Sequence, residues 1–370
     1  MKSQSIVYMK ILLQKLAALL YGMAIRVRNI LFDKEILKGK EYDIPVICIG
    51  NITVGGTGKT PMVELMVSHF SQTHKVAVLS RGYKRKSRGY RVVDALYDHY
   101  SDVGDEPLQI KRKFPDVPVI VCESRTEGID KLRAEFEDVN LIIMDDGFQH
   151  RWVKPYINIV MIDYNRPVDK DNYIPDGQLR DSLDSLNRAN VFVFTKCPDN
   201  ILQRDISLTV AGLKKKPSQA TFFTRPACRE VRSIDGIPVV LPMQSKVIAV
   251  SGIGNNEAFF NGLLARYKVK KCIGFEDHYQ YKDADIELFT SALEANPDAA
   301  FIITTEKDAV KLSSMDSMPE YLRGKIFYEC IGMDFVPFGY NTAKDMERSL
   351  LTLLDKEIKN FKDERYIRGC

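Results

Sequence analysis

Residues 46–70, VICIGNITVGGTGKTPMVELMVSHF, join an apolar strand-like run, a glycine-rich stretch and a helical pattern. The eight residues from Thr53 to Thr60 fit G-x-x-x-x-G-K-[ST], a loop whose backbone N–H groups surround phosphates. Thr53 departs from that pattern because it stands at the first glycine, but three other glycines keep the backbone free to turn. We therefore predict a nucleotide-phosphate site formed by Thr53, Val54, Gly55, Gly56, Thr57, Gly58, Lys59 and Thr60.

The two polar residues that close this loop have predicted roles. Lys59 is expected to act on the β and γ phosphates as a catalytic residue, and Thr60 to contact Mg2+. An ordinary glycine-rich turn is the alternative, but it does not explain a lysine and a threonine at this spacing. The related loop of partition-type ATPases carries an extra lysine where this chain has Val54, which argues against that class.

A second polar motif follows the apolar run of NLIIMDDGFQH, where Asp145 and Asp146 stand at a predicted strand end. A phosphate-binding loop of this kind needs an acid on a neighbouring strand to hold magnesium or its water. One capping aspartate before a turn is the alternative, and it accounts for only one of the two carboxylates. We predict that both belong to the metal site.

Short β-branched runs alternate with helical patterns along the chain, which predicts a mainly parallel α/β sheet covered by helices. Since 370 residues exceed the usual limit for one core, we expect two lobes. We predict an N-terminal helix over residues 1–32, a P-loop NTPase-like kinase lobe over 33–220, a linker over 221–245 and a smaller α/β lobe over 246–370.

Composition excludes several classes of protein. The 53 basic and 49 acidic residues leave a net charge of +4, which gives no basis for a nucleic-acid partner. Seven scattered cysteines without a C-x-x-C pair suit a reducing compartment and argue against a structural zinc. No run of about 18 uncharged apolar residues predicts a membrane span.

The N-terminal segment has a basic amphipathic pattern. Its apolar positions are Leu12, Leu13, Leu16, Leu19, Leu20, Met23, Val27, Ile30 and Leu31. The opposite face has Lys10, Gln14, Lys15, Arg26, Arg28 and Asn29. Such a helix either lies in a membrane interface or packs on the protein's own core, and the pattern alone leaves both open. A signal peptide fits less well, since lysines interrupt the apolar region.

Three further stretches place polar residues near predicted strand ends. LSRGYKRKSRGYRVV is a basic loop, either solvated or binding an anion. VGDEP puts Asp105 at a helix start, where a carboxylate is commonly a cap. FEDHYQY places His278 after a strand of the second lobe, and a lone histidine is more often structural than catalytic.

Together, GNITVGGTGKTP, SRGYKRKS, VGDEP, DDGFQHR, PDGQLRD, FTK and DHYQY resemble the tetraacyldisaccharide 4′-kinase family. The resemblance covers roughly residues 10–312. It implies a kinase that transfers the γ-phosphate of ATP to the 4′-hydroxyl of a tetraacyldisaccharide 1-phosphate, forming lipid IV-A. It also implies a peripheral or monotopic protein on the cytoplasmic face of the inner membrane, and we infer no obligate protein partner.

The resemblance assigns residues as well. It implies that Asp105 is the catalytic base toward the sugar hydroxyl and that His278, from the second lobe, assists it. An acid in one lobe and a histidine in the other would meet only on closure, which would limit wasteful ATP hydrolysis. The residues assigned to substrate binding are Arg81, Gln149, His150 and Arg180.

The chain departs from the family pattern in PDGQLRD, where Gln178 replaces a proline and Asp181 a glutamate. The role of Asp181 is left open for that reason. Two other functions also remain possible from the residues: a P-loop kinase with a soluble acceptor, and a membrane-associated regulatory P-loop ATPase. FTKCPD does not fit a guanine-reading motif, because Asp199 comes one residue late.

Overall fold

The computed structural model describes residues 2–213 and 215–368. Its first elements are α1 (Lys2–Asp33), β1 (Val46–Gly50), α2 (Lys59–Phe70), β2 (Val76–Ser80), β3 (Arg91–Val92), α3 (Tyr100–Val103), α4 (Asp105–Lys113), β4 (Val119–Val121) and α5 (Arg125–Glu135). Then follow β5 (Leu141–Asp145), β6 (Ile157–Asp163), β7 (Val191–Thr195), α6 (Gln203–Gly212), β8 (Ala220–Ser233) and β9 (Pro238–Val239). The last are β10 (Lys246–Ser251), α7 (Asn256–Leu264), β11 (Lys268–Gly274), α8 (Asp283–Glu294), β12 (Phe301–Thr305), α9 (Glu306–Ser313), α10 (Glu320–Arg323), β13 (Ile326–Phe335) and α11 (Ala343–Arg368).

The chain divides into two compact units. Unit 1 comprises Met1–Arg81, Asp116–Pro226 and Met333–Cys370, and unit 2 comprises Gly82–Pro115 and Ala227–Gly332. Residues 82–115, which the sequence suggested as part of the kinase lobe, therefore cluster with the C-terminal residues. Most of the segment predicted as a linker is the 14-residue strand β8.

Unit 1 is built on a parallel sheet in the order β8-β7-β6-β1-β5-β2-β4. Strands β1, β2, β5, β6 and β7 are buried along their whole length, as expected for a parallel sheet with both faces covered. The predicted mainly parallel α/β fold is confirmed. Because β1 and β5 are neighbours in register, Ile49 lies opposite Asp145, which brings the phosphate loop and the acidic pair to one sheet edge.

Unit 2 has its own parallel strands in the order β11-β10-β12-β13, with β9 antiparallel to β8. Its core packs around Phe289, Ile302, Leu312 and Ile326, all buried. Helix α4 belongs to this unit because it is joined to α9: Arg112 donates to Ser313 at 2.7 Å, and Lys307 donates to Glu106 at 3.2 Å.

Helix α1 packs on the rest of unit 1 through a narrow face. Ala18, Gly22, Ile25, Asn29 and Phe32 are buried, at spacings of three and four residues. Asn29 was expected on the polar face, but its amide donates to Asp181 at 2.7 Å, which explains its burial.

The predicted apolar face of α1 is largely exposed. Its side chains are 47–68% accessible at Leu12, Leu13, Leu16, Leu19, Leu20, Met23, Val27 and Ile30. Within the described residues, no helix combines the length and apolarity that a membrane span needs.

Candidate active site

The phosphate loop runs from the end of β1 into the first turn of α2. Gly58, the residue before α2, has φ +78°, a left-handed conformation that glycine adopts without strain. Behind it, Thr195 Oγ1 at the end of β7 donates to the carbonyl of Thr57 at 3.0 Å. Asn51 Nδ2 donates to Thr57 Oγ1 at 2.8 Å. The loop is thus held at a helix N-terminus, where exposed N–H groups and the helix dipole favour anions.

The segment around PDGQLRD supports the other side of the loop. Val54 N donates to the carbonyl of Gln178 at 2.8 Å, and Arg180 N donates to the carbonyl of Ile52 at 2.9 Å. Both bonds use the backbone of this segment. The glutamine that stands at a family proline therefore leaves this support in place.

The two adjacent aspartates have different surroundings. Asp145 is buried in the sheet and accepts a hydrogen bond from Ser80 Oγ at 3.1 Å. Asp146 has φ +48°, which turns its side chain away from the strand pattern. Its carboxylate pairs with Arg180 and lies 3.7 Å from Lys59 Nζ. Burial raises the pKa of Asp146, but the charges of Lys59 and Arg180 prevail and hold this pKa below its usual range.

The structure brings some predicted substrate residues to this edge of unit 1. Arg180 pairs with Asp146 and also donates to the side chain of Asn51. Gln149 Nε2 donates to the carbonyl of Asn51 at 2.6 Å. Thr60 lies in the first turn of α2 and is partly exposed.

The charge of Arg81 influences the pKa of His150. Burial lowers the pKa of His150 to about 4, assisted by the charges of Arg125 and Arg81. His150 is therefore a neutral hydrogen-bonding group at pH 7, and Arg81 is exposed.

Unit 2 contains a second cluster of polar residues, centred on Asp105 at the start of α4. The residue is 6% exposed, and its Oδ1 accepts a hydrogen bond from Glu106 N at 3.0 Å. Its Oδ2 lies 3.4 Å from His278 Nδ1, 3.7 Å from Lys307 Nζ and 3.8 Å from Lys311 Nζ. Burial raises the pKa of Asp105, but these three partners outweigh it and lower this pKa below its ordinary value.

Two motif glycines explain how Asp105 is placed. Gly104 precedes α4 with φ +97°, and a Cβ there would lie 3.2 Å from the Cα of Gly82. Gly82 has φ +69°, and its own Cβ would lie 2.7 Å from the carbonyl oxygen of Val103. The glycines of SRGYK and VGDEP therefore pack against each other, which no side chain at either position would permit without a shift.

His278 is held in an uncommon conformation with φ +61°. Its ring centroid lies 5.2 Å from that of Tyr83, and its Nε2 lies 3.9 Å from Asp277 Oδ2. An open pocket at this point is lined by Tyr83, Lys84, Tyr100, Ser101, Asp105, His278, Gln280 and Lys311. Residues of the basic loop thus line the same pocket as Asp105 and His278, within unit 2.

The expectation that Asp105 and His278 belong to different lobes is wrong, because both lie in unit 2. The segment between β2 and β4 contains α4, which packs on α9. Asp105 and His278 therefore lie in the same unit. Sequence reasoning also missed Lys307 and Lys311. Their signal was TTEKDAVK after an apolar run, with two lysines four residues apart and so on one helix face.

Asp181, whose role was left open, is fully buried and serves as an anchor for α1. It accepts hydrogen bonds from Asn29 at 2.7 Å and Arg188 at 3.2 Å, and Arg28 lies 3.8 Å away. Nearby, Tyr21 OH donates to the carbonyl of Arg180 at 3.1 Å. The PDGQLRD segment thus contacts both the phosphate loop and the N-terminal helix.

Comparisons with known proteins agree on one family. The family model described as tetraacyldisaccharide-1-P 4'-kinase matches residues 9–353. A tetraacyldisaccharide 4'-kinase from Porphyromonas gingivalis is 38% identical over 321 residues, which cover 84% of this chain and 88% of the relative. Another, from Flavobacterium johnsoniae, is 36% identical over 355 residues and covers 92% and 96%. Among solved structures, the "apo" form of LpxK from Aquifex aeolicus in complex with ATP has a TM-score of 0.71. It is 29% identical, and the match covers 92% of this chain and 97% of that one.

Proposed function

Since the chain belongs to the tetraacyldisaccharide-1-P 4'-kinase family, we propose that it phosphorylates the 4′-hydroxyl of a tetraacyldisaccharide 1-phosphate, with ATP as donor. The product would be lipid IV-A. The main support for this proposal is that a member of this family contains both of the residue sets that the reaction requires. Unit 1 supplies a phosphate loop with Lys59, and unit 2 supplies a buried carboxylate beside a histidine.

The nucleotide phosphates would bind the loop from Thr53 to Thr60. Its support by Thr195 and Asn51 favours a preformed cradle, since both contact Thr57. When the nucleotide binds, the Lys59 ammonium would contact the β and γ phosphates instead of Asp146. The charge of Arg180 would then continue to neutralise the Asp146 carboxylate. The ATP complex of the Aquifex aeolicus relative supports the choice of nucleotide.

Magnesium suits the donors at this edge. Thr60, Asp145 and Asp146 offer only hard oxygen atoms, and Mg2+ is commonly held by one or two carboxylates together with substrate phosphates. Among the described residues, no group of three or more His, Cys, Asp or Glu side chains is placed to hold a metal ion. When bound, the ion would neutralise charge that develops on the phosphates.

Asp105 would be the catalytic base and His278 its partner. Its carboxylate is ionised at neutral pH, because its three cationic or hydrogen-bonding neighbours lower its pKa. In a loose phosphoryl transfer the hydroxyl proton leaves late, so a well-placed carboxylate of low basicity suffices. The sugar hydroxyl would thus lose its proton to Asp105 as its oxygen bonds to phosphorus.

The substrate's acyl chains require the enzyme to work at a bilayer. The exposed leucines of α1 form a long apolar strip, and surface strips of this kind mark interaction sites. We propose that α1 lies in the membrane interface on the cytoplasmic side, as a peripheral or monotopic anchor. The basic loop that includes Lys84 would face the anionic lipid substrate.

A comparison of acceptors tests the proposed function. The protein, γ-labelled ATP and magnesium would be combined in detergent either with tetraacyldisaccharide 1-phosphate or with its deacylated, water-soluble form. We expect label in the acylated lipid and little in the deacylated sugar. Equal labelling of both would support a kinase of soluble acceptors, and release of free phosphate without labelling would support a regulatory ATPase.

A further inference from the structure

Lys311 is a buried lysine enclosed by two buried carboxylates. Its side chain is 2% exposed, and its Nζ lies 3.8 Å from Asp105 Oδ2 and 3.5 Å from Asp308 Oδ1. A buried ammonium is costly unless opposite charges face it. Among the described residues its Nζ has no hydrogen-bond partner, so its influence on both carboxylates is that of a charge.

Asp308 is fixed independently of the catalytic pocket. It is fully buried, and its Oδ2 accepts hydrogen bonds from Gly252 N at 2.8 Å and from Thr305 Oγ1 at 2.7 Å. Asp308 and Lys311 are three residues apart on α9, so they share a helix face. Asp308 therefore provides a second negative charge close to the ammonium, in addition to Asp105.

Lys307, one turn earlier on α9, provides a natural contrast. It lies 3.7 Å from Asp105 but 3.2 Å from Glu106, and its side chain is 19% exposed. Its charge is therefore shared with Glu106 and partly screened by solvent. Lys311 is about as close to Asp105 and is better shielded from water, and the charges of both lysines lower the pKa of that carboxyl.

We propose that Lys311 is a positioning residue for the phosphoryl transfer, whose buried charge, held by Asp308, keeps Asp105 ionised and ready to accept the hydroxyl proton. This inference rests on the proposed role of Asp105 as base. During the step the acceptor O–H bond breaks and its proton goes to Asp105. The acceptor oxygen bonds to the γ-phosphorus, and the bond from that phosphorus to the ADP oxygen breaks.

The charged and titratable groups around Asp105 come from four parts of unit 2. Helix α9 provides Lys307 and Lys311, and the loop after β11 provides His278. Helix α3 provides Tyr100, whose pKa is raised by burial and then by the charge of Asp105, and α4 itself provides Glu106. Of the two lysines, Lys311 is the more deeply buried, at 2% exposed against 19%, which makes it the group to vary.

The test is the pH dependence of kcat in four proteins: wild type, Lys311→Met, Lys307→Met and Asp308→Asn. We expect the acidic limb, where Asp105 gains a proton, to move up by about one to three pH units in Lys311→Met. Lys307→Met should also move it up, because the charge of Lys307 likewise lowers the pKa of Asp105. Asp308→Asn keeps the ammonium beside Asp105, so the limb should not rise. KM for ATP should stay unchanged in all four.

A purely structural role for Lys311 predicts a different pattern. Removing either member of the Lys311–Asp308 pair would then lower activity similarly at every pH, without moving the limb, and that result would overturn the proposal. If Lys311→Met folds poorly because Asp308 is left unpaired, the double variant Lys311→Met/Asp308→Asn removes both charges together. The acidic limb of its kcat profile should also move to higher pH. An acidic limb at the wild-type pH in this variant contradicts the proposal.

A measurement without turnover separates this inference from the proposed function. The carboxyl carbon of Asp105 can be followed by NMR in protein labelled at aspartate, with Asp105→Asn to assign the signal. We expect the Asp105 signal to titrate at higher pH in Lys311→Met than in wild type. An unshifted titration refutes the role of Lys311, whereas a shifted titration in a protein that never labels the lipid refutes the proposed function alone.

Discussion

His278 Nδ1 lies 3.4 Å from Asp105 Oδ2, and both residues belong to the same compact unit. The acid follows a glycine at the start of α4, and the histidine follows β11 in a left-handed conformation. Helix α4 packs on α9, so Asp105 and His278 are both held within unit 2. The role that we propose for them requires this proximity, since an orienting partner must face the base.

Replacing the base should abolish most transfer without unfolding the protein. We predict that Asp105→Asn lowers kcat by about 100- to 10,000-fold, the range that one general base contributes. Affinity for ATP, measured by calorimetry, should remain close to wild type, because the phosphate loop belongs to unit 1. Near-normal transfer by Asp105→Asn would rule out its role as base.

The ion pairs of Asp105 also predict how stability depends on pH. Burial raises the pKa of Asp105, but the hydrogen bond with His278 and the charges of Lys307 and Lys311 outweigh it, so the pKa is lower in the folded protein than in the unfolded chain. The resulting stabilisation is fully present above the unfolded pKa of about 3.9 and is lost as pH falls through the folded pKa.

The urea midpoint of wild type should therefore exceed that of Asp105→Asn at pH 7, and the difference should shrink as the pH is taken well below 4. A difference that stays constant from pH 7 downward would show that these ion pairs do not stabilise the fold.

A side chain at the glycine before Asp105 should destabilise the protein. Gly104→Ala would combine φ +97° with a Cβ 3.2 Å from Gly82 Cα, and a strained position of this kind costs about 1–3 kcal/mol. Thermal unfolding would measure the loss. Gly89→Ala is the matched control, because φ there is +74° but nothing lies within 4 Å of the added carbon. Equal losses in both variants would mean that the close approach to Gly82 contributes nothing.

Membrane association should depend on the exposed strip of α1. Truncation is a poor test, because Asn29 anchors the helix to Asp181. We predict that Leu16→Glu/Leu20→Glu lowers vesicle binding at least about 100-fold, since each leucine contributes about 1.5 kcal/mol or more on leaving water.

The matched control is Leu202→Glu/Leu208→Glu, which changes two exposed leucines elsewhere in unit 1. It should bind anionic vesicles as wild type does. Unchanged sedimentation of the α1 variant in moderate salt would refute the anchor.

The strands and the phosphate loop could be predicted from sequence because their signals are local. Apolar runs marked the strands, and Lys59 with Thr60 at a fixed spacing marked the loop. Residues 82–115 could not be assigned to unit 2 in this way, because contacts such as Arg112 with Ser313 join distant parts of the chain.

Lys311 and the burial of Asn29 were missed for a related reason. A lysine on a helix is ordinarily solvated, and only the nearby carboxylates of Asp308 and Asp105 make its burial tolerable. Asn29 followed the polar pattern of α1, yet it is buried because Asp181 accepts its hydrogen bond. In both cases the burial depends on a partner that is distant in sequence, Asp105 for Lys311 and Asp181 for Asn29.

The most direct test of the account is a detergent-supported assay with γ-labelled ATP, magnesium and tetraacyldisaccharide 1-phosphate. Wild type would be compared with Lys59→Ala and Asp105→Ala, and the labelled position identified by NMR of the product. We predict a 4′-phosphate from wild type and almost none from either variant. Free phosphate from wild type without labelled lipid, or undiminished labelling by Asp105→Ala, would contradict the account.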